Sequence, residues 1–199
     1  HAPVLFPIVG QLNDNTLRYD GQEYNMSRHG LARNLPFFLE SEEEDYMTFL
    51  LTSSDSTRSY YPFEFYLRII YKLKGSKVVV SYEVKNTDQK EIIFSIGGHP
   101  ALNCPINGEG SYSDYFFEFD NPEQAERHEF KNGLRTGNML PFLEKEKIIR
   151  ITDQLFEDDA IILKDLHSEK ITLKKPGSKR YVAVSVLGFP WVGLWSVPG

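Results

Sequence analysis

Five histidines supply the chain with side chains that titrate near neutral pH without any perturbation, and two of them occur in distinctive surroundings. His29 lies in RHGLARN, residues 28–34, and His99 in GGHPALN, residues 97–103. Each stands where apolar alternation breaks at glycine. A glycine beside a polar side chain lets the backbone turn sharply and approach a ligand closely, and loops at strand ends are where function concentrates. An imidazole in such a turn suits general acid or base work, although the same residue can equally cap the turn or bond a buried carbonyl. His1 at the terminus, His128 among charges and His167 in the polar turn from Lys164 to Glu169 are expected at the surface.

Other chemistries lack their signatures. There is no His-x-His, no His-Glu-x-x-His and no companion for the single Cys104, so no metal site is expected. Cys104 itself reads as a small buried hydrophobe. No Gly-x-Ser-x-Gly elbow supports a serine hydrolase, and no glycine-rich phosphate loop precedes a helix. What remains is a pair of imidazoles with carboxylates, Asp158 and Asp159 foremost, in a chain rich in Phe and Tyr. That set fits acid/base work on a sugar, whose ring faces stack on aromatics while its hydroxyls bond to Asp, Arg and His.

The elements that must position these groups are strands. With 199 residues the chain is read as one domain, residues 1–199, with a sizeable core. In residues 61–75 Phe63, Phe65, Leu67, Ile69, Tyr71 and Leu73 alternate with polar residues, and residues 77–86 resume the alternation after a turn, which predicts a β-hairpin. A third strand is expected over 91–97, followed by short strands at 115–119, 147–151, 160–163, 170–173, 181–186 and 191–197. Regular short strands favour a sandwich or barrel. Residues 121–133 fit a helix or an exposed strand equally, and the acidic run 41–45 reads as a solvated loop. Phe94, Trp191 and Trp195 are expected in the core. The net charge of −6 argues against nucleic acid or an anionic membrane as the main partner, and no apolar run is long enough to span a bilayer. Lone-cysteine usage fits a reducing compartment, and a cytoplasmic location is expected.

In order along the chain, APVLFPIVGQL (2–12), YNMSRHGLARN (24–34), the 61–88 strand pair, SIGGHPALNCP (95–105), LFEDDAIIL (155–163) and GFPWVGLWSVPG (188–199) resemble the aldose 1-epimerase, galactose mutarotase-like family. The similarity is greatest to its lactose-operon-associated branch. The resemblance implies an all-β fold, a large antiparallel β-sandwich whose concave face binds a pyranose, with no cofactor. By residue, it implies that His99 is the general acid toward the ring oxygen, His29 holds a sugar oxygen, and Arg33 and Asp159 bind substrate, with Asp158 the alternative to Asp159. It further implies a glutamate base, followed by proline, in a segment beyond Gly199, so both ends of the chain read as cut. Gln11 stands where many relatives carry arginine. The implied activity is mutarotation of an aldohexose. Arg28 and Arg33 around His29 make a hexose 6-phosphate an alternative substrate. A non-catalytic carbohydrate-binding protein on the same sandwich, or a purely structural β domain, are the competing classes.

Overall fold

The computed structural model describes residues 2–197, which leaves out His1 and the last two residues of the C-terminal motif. The chain divides into two compact units, residues 1–100 and 101–199. Both are built from antiparallel strands, as the alternation predicts. Among the described residues no helix is long and apolar enough to cross a membrane.

In the first unit β1 (Val4–Leu5) is followed by the hairpin of β2 (Thr16–Tyr19) and β3 (Gln22–Asn25). A four-stranded meander comes next: β4 (Phe38–Glu43), β5 (Tyr46–Thr52), β6 (Phe65–Lys74) and β7 (Lys77–Asn86). The short β8 (Gly97–Gly98) returns to pair with β1. The β6–β7 hairpin forms as expected, and its turn is Gly75-Ser76 with Gly75 at φ 60°, a glycine demand of two-residue hairpins. Phe63, Phe65, Leu67 and Ile69 are buried as the alternation requires, whereas Leu73 at the hairpin end is 52% exposed. Phe6 sits inside this core, its ring centroid 5.0 Å from Phe65 and 5.9 Å from Tyr61. Burial of each such ring contributes about 1.5–3 kcal/mol.

Three expectations change here. Residues 91–96 are not a strand. The β1–β8 ladder stops at the Leu5–Gly97 pair, and two residues further the partner of Ser95 is Pro7, which accepts the Ser95 N–H at 2.8 Å but has no N–H to return. Phe94 consequently lies 41% exposed, not in the core. The acidic run is solvated, yet its first residues belong to β4, with only Glu44 and Asp45 in the turn.

The second unit is one six-stranded sheet. Its spine is a long hairpin of β9 (Phe116–Lys131) and β10 (Leu134–Arg150), joined by β11 (Ile161–Lys164), β12 (Lys170–Lys174), β13 (Tyr181–Ser185) and β14 (Trp191–Leu194). The helix alternative for 121–133 is overturned. Asn132 and Gly133, at φ 54° and 78°, form the tight turn of that hairpin, and Asn-Gly is the strongest short hairpin signal. Phe119, Ile161, Leu163 and Ile171 are buried against one another. Trp191 and Trp195 are exposed: Trp191 projects from the opposite face of β14 to the buried Val192, and Trp195 lies just beyond the strand.

Candidate active site

One extended segment, Val4 to Gly10, holds both histidine turns of the first unit. Its carbonyl at Phe6 accepts the N–H groups of Leu31 (3.0 Å) and Ala32 (3.1 Å), just beyond His29. Its β1 residues pair with Gly97 and Gly98, just before His99. Gly30 is needed for this close approach, whereas Gly98 faces Tyr82 of β7. A Cβ on Gly30, itself at φ 77°, would lie 2.2 Å from the Phe6 carbonyl oxygen, and one on Gly98 would lie 2.6 Å from the Tyr82 hydroxyl.

The result is that the His29 and His99 rings, 70 residues apart in sequence, face each other edge to face with centroids 6.2 Å apart. His29 is tightly constrained. Its backbone is left-handed at φ 67°, its N–H donates to the Gly10 carbonyl at 2.7 Å, and its Nδ1 accepts the Gly10 N–H at 3.1 Å. Ser27 closes the turn through its Oγ, which donates to the Gly30 carbonyl at 3.0 Å. Partial burial, followed by the positive charges of Arg28 and Arg33 and the neighbouring His99, lowers the His29 pKa from 6.5 to about 4. At neutral pH the imidazole is therefore uncharged. With Nδ1 occupied as an acceptor, its proton resides on Nε2, which makes His29 a hydrogen-bond donor to whatever lies there. His99 is exposed.

Arg33 lies in the short 3-10 turn Ala32–Asn34, exposed, and its charge is felt at His29. Asp159 belongs to the second unit, half-buried at the turn that precedes β11, with φ 86° and its carboxylate accepting the Ala160 N–H at 2.8 Å. Asp158 beside it is exposed and pairs with Arg127 at 3.1 Å. Of the other histidines, His167 is exposed as expected, with its ring 3.5 Å from buried Glu123. His128 is half-buried against Trp191, a correction to its expected exposure, because β9 places it on the sheet face that carries that indole. Cys104 is half-buried, and burial pushes its thiol pKa up. The residue that the sequence reading missed is Gly10, whose N–H fixes the His29 ring; the Gly in Val-Gly-Gln was its only signal.

Antiparallel strands throughout, with a histidine pair on glycine turns, define a galactose mutarotase-like fold. The galactose mutarotase related enzyme from Lactobacillus acidophilus has that fold, with a TM-score of 0.91 at 34% identity over 98% of this chain and 66% of its own. The aldose 1-epimerase family pattern matches residues 1–193, and the chain belongs to that family. It is 34% identical to the plasmid-encoded LacX protein of Lactococcus lactis over 206 residues, 98% of this chain and 68% of LacX. A Salmonella typhimurium protein provisionally named a glucose-6-phosphate 1-epimerase is 40% identical over 121 residues, 57% of this chain and 39% of that one. The chain spans about two thirds of the length of the L. acidophilus and LacX relatives.

Proposed function

We propose that the chain carries the two-imidazole part of an aldose 1-epimerase site and acts on an aldohexose, interconverting its α and β anomers. The observation that carries this reading is the facing of His29 and His99, with the Nδ1 of His29 already bonded to Gly10. His29 then offers Nε2–H to a sugar oxygen without competing for protons, and His99 acts as the acid. A base takes the proton of the anomeric hydroxyl as the bond between C1 and the ring oxygen breaks, and His99 gives its proton to that oxygen. Rotation about C1–C2 presents the other face of the aldehyde. Closure returns the hydroxyl proton to His99 and the base's proton to the new anomeric oxygen. Each positioned proton transfer contributes roughly 100-fold or more. Arg33 binds a sugar hydroxyl, and the base is assigned to no residue of this chain.

A hexose 6-phosphate is the second reading. Arg28 and Arg33 both place positive charge beside His29, guanidinium forks suit phosphate, and the Salmonella relative's name points the same way. Polarimetry of freshly dissolved α-glucose, α-galactose and α-glucose 6-phosphate with the protein at its natural full length tests both. Faster anomer exchange than in buffer is expected for at least one sugar, with a preference of about tenfold or more for the phosphate ester if the second reading holds. Indifference to all three would remove the enzyme claim.

A further inference from the structure

The exposed sheet face of the second unit carries a cluster that the proposed epimerisation does not use. Lys164 on β11 stands opposite Trp191 on β14, and His128 on β9 stands opposite Ile162. These residues share the face away from buried Ile161 and Leu163, since strand side chains alternate. Arg135 of β10 joins them. The Lys164 ammonium lies 5.4 Å and the Arg135 guanidinium 5.7 Å from the Trp191 ring centroid, and the His128 ring 4.8 Å from it. Four strands thus bring two cations and an imidazole onto one indole in a chain of net charge −6. Lys164 pairs with exposed Asp165 at 3.1 Å, and Arg135 has no ion pair among the described residues. Arg135 and Lys164, after burial, hold His128 below its ordinary pKa, against an opposing pull from Glu126.

We propose that this cluster binds a phosphoryl dianion, with Arg135 and Lys164 as the charged contacts and Trp191 as the platform that holds them in place. Cations stacked on an indole lose less freedom when an anion arrives, and the guanidinium fork matches phosphate oxygens. The source is either free phosphate or the phosphate group of a sugar ester.

The Trp195→Phe chain leaves Trp191 as its sole tryptophan, so its emission reports the cluster. Titration with inorganic phosphate and with glucose 6-phosphate, at ionic strength held constant by KCl, is expected to give a saturable change. The affinity should fall about tenfold in Arg135→Gln and in Lys164→Gln, with the urea midpoint unchanged. Tighter binding of the ester assigns the sugar phosphate, and equal affinity assigns the phosphate group alone; both support the site. No saturable response to either anion, an equal response in the variants, or the same response to glucose would overturn it. Phosphorus-31 line broadening on the unsubstituted chain gives the same reading should Trp195→Phe not fold.

Discussion

The two histidine turns of the first unit are built differently. The turn at His29 is fixed on every side, by Gly10 at both its N–H and its Nδ1, by Ser27 through the Gly30 carbonyl, and by the Phe6 carbonyl just beyond. His99 follows only the two-residue ladder of β8, lies exposed, and its ring accepts or donates no hydrogen bond among the described residues. Under the proposed roles the difference amounts to a division of labour. A side chain that must stay neutral and present one donor is held by the backbone, whereas one that must pass a proton back and forth is left open to its substrate.

This contrast can be broken by substitution. Gly30→Ala puts a Cβ into the Phe6 carbonyl at a left-handed residue, where no side chain can move aside, and is expected to cost about 3 kcal/mol or more in urea unfolding. Ser27→Ala removes the Oγ bond to Gly30 and should cost about 1 kcal/mol. Gly98→Ala meets only the Tyr82 hydroxyl, the far end of a side chain, and the unfolded chain loses entropy in compensation, so a cost under about 1 kcal/mol is expected. If Gly98→Ala proves as damaging as Gly30→Ala, the two turns are equally constrained and the contrast fails.

A pH slope is expected as well. The His29 pKa is about 4 in the folded chain against 6.5 for the free side chain, so the unfolded chain binds more protons between those values. Stability then rises with pH across that window and is lost as pH falls from about 6.5 toward 4. Urea midpoints at pH 7 and pH 4.5 should converge more in His29→Gln than in the parent chain; an identical loss in both would mean that His29 titrates normally.

Much of this was legible in the chain itself. Alternation in residues 61–86 predicted the central hairpin, and the glycine breaks at His29 and His99 marked the turns that meet. Legibility failed where a distant partner decided the outcome. Residues 91–96 alternate well enough for a strand, but the segment opposite them continues past β1 into Pro7, which ends the ladder. The orientation and tautomer of the His29 ring are set by the Gly10 N–H, 19 residues away, which no local pattern announces. At residues 121–133 the signal was present in Asn132-Gly133 and outweighs the Asn121-Pro122 start that suggested a helix. The exposed Trp191 shows that a large aromatic on a strand follows the face assigned by its neighbours.

The most direct test of the division of labour is His99→Asn in the full-length protein, with anomer exchange measured by NMR exchange spectroscopy alongside the dissociation constant of the same sugar. The proposed roles predict exchange reduced by roughly 100-fold or more, with binding changed by no more than about threefold. Exchange at the parent rate in His99→Asn would contradict the assignment of His99 as the acid.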